Sequence, residues 1–262
     1  MPELIEVELY RRDLDCLVGQ SVTGVSVRDT RAVRPKNAPP ELFRALVGAT
    51  LERTWRHGKL LVAEFDGLGG PIALGWRFGM TGRLLIDGES SIAQLEYSSP
   101  RDNPAWDRFE LASTGGVVVL RDQRCFGSVE LDPETTGLAP EASTVSGGEL
   151  SAALSGRTKA VKAALLDQSI VAGLGNLLAD EILWVAGVSP HTPVDEFSND
   201  DIASLAGHIR STVERLTAAG GSNTGISFGL RHAGATCLRC SGSMHRDRIG
   251  GRTAWWCPTH QG

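Results

Sequence analysis

The final 26 residues of the chain contain Cys237-x2-Cys240-x16-Cys257-x2-His260, and this quartet constrains the fold more than any other stretch. Two close pairs of soft ligands, separated by about sixteen residues, can occupy two knuckles and close one tetrahedral zinc site. In so short a segment the ion would supply most of the folding free energy. The alternative is a buried Cys pair beside a surface His. Between the pairs lie Arg246, Arg248 and Arg252, on what would be a metal-held hairpin. A rigid cationic hairpin suits contact with phosphates. Cys16 and Cys125 fall outside the pattern and read as ordinary thiols.

Charge distribution points the same way. The net charge of −5 alone argues against a polyanionic partner. From Leu205 to Gly262, however, seven Arg face only Glu214 and Asp247, so this end carries +5 and the rest −10. A basic end on an acidic body marks either a nucleic-acid face or a solvated surface. At 262 residues, with 41% hydrophobic and 22% charged residues, the chain has room for one large or two ordinary globular domains. No run approaches the roughly 20 apolar residues of a membrane span. The N-terminus lacks a basic segment followed by an apolar run. A cytosolic protein is therefore expected, with cysteines serving as metal ligands or buried thiols rather than disulfides.

The hydrophobic period changes along the chain. SVTGVSV, KLLVAEF, GRLLI, FELAS and GVVVL read as strands, with turns at GLGG (67–70) and TGG (114–116). Only the first dozen residues and APPELFRALVG (38–48) read as helical in this half. The pattern predicts a β-sandwich or flattened barrel over 1–131. A Pro-, Gly-, Ser- and Thr-rich linker follows at 132–148. Helical periodicity takes over at 149–232: around Leu150 and Leu154, over 159–168, over 176–187, and from a cap at Ser198 or Asn199 to Gly220. The Cys-rich segment occupies 233–262.

Three further stretches carry chemistry or packing. AGLGN places Gly173 and Gly175 just before a helix, where free N–H groups and the positive dipole end would receive an anion; a plain turn reads equally well. Lys59 stands at a strand edge after a turn. Met80 in GMTG and Phe126 in DQRCFG lie beside glycines in apparent loops, near Arg124. They either fill core or project as wedges of the kind that open duplexes.

Taken in order, PELIEVE, HGK, GMTG, DQRCFG, LLDQSIVAGLGN and the terminal Cys/His quartet resemble the formamidopyrimidine-DNA glycosylase/endonuclease VIII family of base-excision repair enzymes. The resemblance spans nearly the whole chain. It implies a multidomain α+β fold: an N-terminal β-sandwich, a helix–two-turn–helix DNA-binding domain and a zinc-bound β-hairpin. It implies a bifunctional glycosylase and AP lyase acting on oxidised or ring-opened bases in double-stranded DNA. With Met1 removed, the Pro2 amine would attack C1′ and form a Schiff base, followed by β- and δ-elimination. An α-amine, with a pKa of about 8, keeps a useful neutral fraction near pH 7. By motif correspondence Glu3 would transfer protons, and Lys59, Asn176 and Arg252 would grip phosphates. Met80, Arg124 and Phe126 would fill the space left by a flipped nucleotide. Cys237, Cys240, Cys257 and His260 would hold one structural zinc ion, and Glu6 would be structural. One chain would supply both DNA-gripping faces, which implies a monomer.

The sequence departs from the family pattern in places. Ile5 stands for a usual proline, His260 for a usual Cys, Arg77 for a frequent His and Cys125 for a frequent Arg. The segment 220–236 is shorter than the lesion-covering loop of the guanine-repairing branch. Two alternatives stay open: a damage-recognising DNA-binding protein with little excision, and a glycosylase specialised for bulky or alkylated bases. Intact Pro2, Glu3 and Lys59 favour an enzyme over a binder.

Overall fold

The computed structural model describes residues 1–36 and 38–262. The chain separates into two units: Met1–Pro2 with Glu6–Thr136, and Glu3–Ile5 with Gly137–Gly262.

The first unit is built on two sheets. One holds β1 (Val22–Val27), β7 (Asp107–Ser113), β8 (Gly116–Arg121) and β6 (Arg83–Ile86), in the order β1-β7-β8-β6 and antiparallel throughout. The other has the order β2-β9-β5-β4-β3, with β2 (Val33–Arg34), β9 (Ser128–Leu131), β5 (Gly70–Arg77), β4 (Leu60–Gly67) and β3 (Thr50–His57). Alternation along the strands buries one set of side chains. Trp76, Phe43, Phe109, Leu61, Leu74 and Leu120 form the centre of a single apolar cluster. The expected β-sandwich is borne out.

Two local readings differ. β3 and β5 escape a reading based on apolar runs, because charges alternate through TLERTWRH and glycines interrupt GPIALGWR. The stretch read as a helix over 38–48 is instead a 3-10 segment, Pro40–Leu46. Pro39 and Pro40 lack N–H groups, and Phe43 and Leu46 still reach the core.

The second unit is helical, with a terminal hairpin. Its helices are α2 (Gly147–Leu154), α3 (Val161–Leu165), α4 (Asn176–Ala186) and α5 (Asn199–Ala218). Capping boxes begin α2 at Ser146 with Glu149 and α5 at Ser198 with Asp201. The residues at 132–148 do not run free, since Ala142 and Val145 are fully buried in this unit's core. The first helix, α1 (Leu4–Leu14), gives Leu4 and Ile5 to that core and Val7, Tyr10 and Leu14 to the sandwich core. The hairpin pairs β10 (His245–Ile249) with β11 (Arg252–Trp256), and a short turn, α6 (Pro258–Gln261), follows. Among the described residues no helix is long and apolar enough to cross a membrane.

Candidate functional site

Helix α4 begins where the AGLGN stretch ends, and an anion does occupy its N-terminus. That anion is the chain's own Glu3. Glu3 is 1% exposed. Its carboxylate accepts hydrogen bonds from the backbone N–H groups of Gly175 at 2.7 Å, Leu177 at 2.8 Å and Leu178 at 3.2 Å. These are orphan donors of a first helical turn, and the dipole adds to their attraction for negative charge. Gly175 is obligatory here, since a Cβ would stand 2.3 Å from the Glu3 carboxyl carbon. The loop before it is shaped by Gln168, which donates to Leu174 O at 2.9 Å and accepts from Gly173 N at 3.0 Å. Gly173 O in turn accepts from Leu4 N at 3.0 Å, which registers the N-terminal arm against the loop.

This corrects one expectation. The backbone N–H groups after AGLGN are committed to Glu3 and do not form an open clamp for DNA phosphate. What the helix start still offers is the side chain of Asn176, 9% exposed, whose Oδ1 has no hydrogen-bond partner among the described residues. Pro2 is buried and adjoins Glu3 in sequence, and Glu6 is buried as well.

Within the sandwich unit, Lys59 is part-buried in the tight turn between β3 and β4. Met80, Arg124 and Phe126, read from two separate loops, come together. Arg124 Nη1 is 3.5 Å from Met80 Sδ, and its guanidinium lies 4.7 Å over the Phe126 ring. Phe126 remains 51% exposed. An exposed aromatic ring under a cation is a wedge with a charged flank, the form that suits insertion beside a base.

The anchor of that loop is Asp122, which sequence reasoning passed over. It is fully buried and accepts from Thr81 Oγ1, from Arg124 N at 3.1 Å, from Phe126 N at 2.7 Å and from Gly127 N at 2.6 Å. The available signal was an acidic residue next to a strand end, before a turn, where carboxylates gather backbone N–H groups. Cys125, at the crest, takes a positive φ of 53° and approaches Asp29 Oδ2 at 3.6 Å. Glu181, also missed, lies 1% exposed on α4. It accepts from Arg215 at 2.6 Å, Ile226 N at 3.1 Å and Ser227 N at 2.7 Å, and so fixes the start of the 226–230 segment. Burial opposes ionisation of Glu181, but Arg215 and the N–H donors prevail and hold its pKa below the usual value.

At the other end of α4, the sulfurs of Cys237, Cys240 and Cys257 lie within 4.8 Å of one another, and Cys240 Sγ to Cys257 Sγ is 3.4 Å. Metal–sulfur bonds of about 2.3 Å in a tetrahedron place sulfurs about 3.8 Å apart, so three thiols so disposed could hold a metal ion. Burial works against the Cys237 thiolate, yet the N–H groups of Arg239 and Cys240 hold its pKa below the ordinary value. His260 is not in this trio. Its Nε2 donates to Trp184 O at 2.8 Å, and its ring packs edge-on against Trp184. The turn of α6 carries the ring across Gly187 toward the end of α4, where a Cβ would be 3.6 Å from it. Arg252 stands exposed at the first position of β11, beside the hairpin turn.

Comparison with known proteins agrees with this geometry. Residues 1–129 match the formamidopyrimidine-DNA glycosylase N-terminal domain, and residues 136–227 match the H2TH domain of the same enzymes. The formamidopyrimidine-DNA glycosylase of Paracoccus denitrificans is 35% identical over the full length of both chains. That of Bacillus subtilis is 30% identical over 98% of each. Among solved structures, Lactococcus lactis Fpg bound to DNA containing an abasic site superposes with a TM-score of 0.81, at 26% identity over 99% of each chain. The same enzyme bound to DNA containing an oxidised pyrimidine gives 0.81 at 27% identity, again over 99% of each. With both domains matched in order and relatives aligned end to end, this chain belongs to the formamidopyrimidine-DNA glycosylase family.

Proposed function

We propose that the protein is a bifunctional DNA glycosylase and AP lyase that removes oxidised or ring-opened bases from duplex DNA through a Schiff base on Pro2. The observation that carries this reading is Glu3, an otherwise costly buried carboxylate fixed by three backbone donors one peptide bond from the proposed nucleophile.

Once Met1 is removed, the neutral secondary amine of Pro2 attacks C1′. The bond from C1′ to the base breaks, and the base leaves with a proton. Opening of the sugar ring gives a cationic iminium between Pro2 and C1′. That cation is an electron sink. Loss of a C2′ proton expels the 3′ phosphate, a second elimination expels the 5′ phosphate, and hydrolysis of the imine restores the amine. Glu3, with its negative charge held in place, stabilises the developing cation and passes protons at the sugar. Lys59, the Asn176 side chain and Arg252 bind phosphates around the extruded nucleotide, while Met80, Arg124 and Phe126 occupy its place in the stack.

Zinc is the ion assigned to the cysteine trio, with a purely structural role in holding the hairpin. His260 completes the set through Nδ1, the nitrogen left without a proton when Nε2–H donates to a carbonyl. The protein acts as a monomer in the cytoplasm, on nucleoid DNA.

Borohydride trapping tests the reading. Purified protein is incubated with duplexes carrying an abasic site, a ring-opened purine, an oxidised purine or an oxidised pyrimidine. A covalent band with elimination products on the abasic duplex and on at least one damaged-base duplex is expected. Glu3→Gln should slow trapping about 10²-fold. Protein retaining Met1, whose Pro2 nitrogen is an amide, should trap nothing. No band on any duplex, from protein with Met1 gone that still binds DNA tightly, would refute the assignment.

A further inference from the structure

The hairpin is held to the helical unit by more than its cysteines. Lys162, on α3, is 0% exposed; Asp180, on α4, is 1% exposed; and Arg231 is 8% exposed. Lys162 Nζ donates to Asp180 Oδ1 at 2.5 Å and to the Thr253 carbonyl of β11 at 2.6 Å. The other oxygen, Asp180 Oδ2, accepts from Arg231 and from the backbone N–H of Trp255 at 3.3 Å. One buried carboxylate therefore joins two cations, and the cluster grips both a carbonyl and an N–H of the same strand. Burial pushes the Lys162 ammonium below its usual range and the Asp180 carboxyl above its own, and their contact opposes both shifts. Glu3 is close enough to Lys162 to act on it as well, so the chain Glu3, Lys162, Asp180, Arg231 alternates in sign.

A second contact fixes the hairpin tip. Gly250 and Gly251 make its two-residue turn with positive φ of 57° and 75°. A Cβ on Gly250 would meet the Ala163 side chain at 3.1 Å, so the turn lies directly on the residue after Lys162. Arg252 is the next residue. Its backbone is thus clamped on one side by the turn on Ala163 and on the other by Lys162 at Thr253, while its side chain is exposed.

We propose that Lys162, Asp180 and Arg231 are positioning residues that present Arg252 to a DNA phosphate, independently of the metal. The proposal rests on the reading of Arg252 as a phosphate contact. A buried charged cluster adds little net stability compared with apolar packing, but it fixes geometry, since each charge needs its partners in place. Here the geometry fixed is the register of β11 on α4.

The test is a double-mutant cycle in full-length, metal-loaded protein. Binding to a duplex with an uncleavable abasic analogue is measured across salt concentrations for wild type, Asp180→Asn, Arg252→Gln and the double variant, with metal content determined for each. Expected is a roughly tenfold loss of affinity and a fall of about 0.9 in the salt slope for either single variant, the signature of one lost phosphate contact. The double variant should match Arg252→Gln alone, with metal content unchanged throughout. Losses that add in full, or an Asp180→Asn protein with unaltered slope, would overturn the positioning role while leaving the enzyme assignment intact. If Arg252→Gln itself leaves affinity and slope unchanged, the phosphate role of Arg252 falls and the proposal with it. Arg231→Gln, at the least buried corner of the cluster, is read in the same way should Asp180→Asn fail to fold.

Discussion

The two units solve the same problem by different means. In the sandwich unit, the exposed pair Arg124 and Phe126 is presented by Asp122, a buried carboxylate satisfied by one hydroxyl and three backbone N–H groups. In the helical unit, Arg252 is presented by Asp180, a buried carboxylate satisfied chiefly by two buried cations, with three thiols closing the segment beyond it. The first arrangement is local: all four donors to Asp122 lie within its own loop or the facing one. The second joins four separate stretches of chain, at Lys162, Asp180, Arg231 and β11. A loop of six residues can be organised by its own amides, whereas a hairpin with little core needs cross-links from outside.

That contrast can be broken most severely at the metal. With zinc the ion proposed for the trio, Cys257→Ser should lower bound zinc to well under one equivalent and loosen the cysteine knuckles, weakening DNA binding at least tenfold while the Lys162 and Asp180 contacts still hold β11. His260→Ala should lose zinc affinity in part and His260→Cys should retain it; full zinc content in His260→Ala, by metal analysis, would leave the ion to the three thiols alone. Next is Asp122→Ala, which strands the Thr81 hydroxyl and the Phe126 and Gly127 N–H groups and should cost about 3 kcal/mol in chemical denaturation without changing metal content. Gly175→Ala sharpens the comparison at Glu3. Its Cβ displaces the carboxylate, and trapping should slow about 10²-fold with near-normal DNA affinity. An unchanged trapping rate would show that Glu3 needs no fixed seat.

The smallest effect is expected at Asp29, beneath the Cys125 crest. The Arg31 side chain, with its backbone N–H, holds the Asp29 pKa at about 2, against 3.8 for an ordinary Asp. A depressed carboxylate stabilises the fold above its unfolded value and loses that contribution as pH falls through the folded one. Arg31 is largely exposed, so screening reduces the effect. Asp29→Asn should therefore cost about 1 kcal/mol at pH 7, with the difference from wild type fading between pH 4 and pH 2.

Much of this organisation is legible in the residues themselves, and the limits are instructive. The Cys pairs, the β-type runs, the cap at Ser198 or Asn199 and the stop at Gly187 declare themselves because each signal is local. The destination of Glu3 does not. Its donor Gly175 lies 172 residues away, and AGLGN reads equally well as a site for an external phosphate. Strand β5 is hidden by Gly70, Pro71 and Gly75, which mimic a turn. Asp180 and Glu181 did leave a trace: two adjacent carboxylates are the sole charges in NLLADEILWVA, an otherwise apolar helix. Lys162 in AVKAALL is the matching trace on α3. Ionisable residues in helices this apolar read as partners for one another, although the pairing itself is not written in either segment.

Along its eleven residues α4 engages, in order, the N-terminal arm through Leu177 and Leu178, β11 through Asp180, the 226–230 segment through Glu181, and α6 through the Trp184 carbonyl. Each attachment points in its own direction around the helix. Inserting one residue after Leu178 would turn everything beyond it by about 100°, and three attachments would be lost together while the hold on Glu3 persisted. The helix can therefore drift in composition at individual positions but is frozen in length.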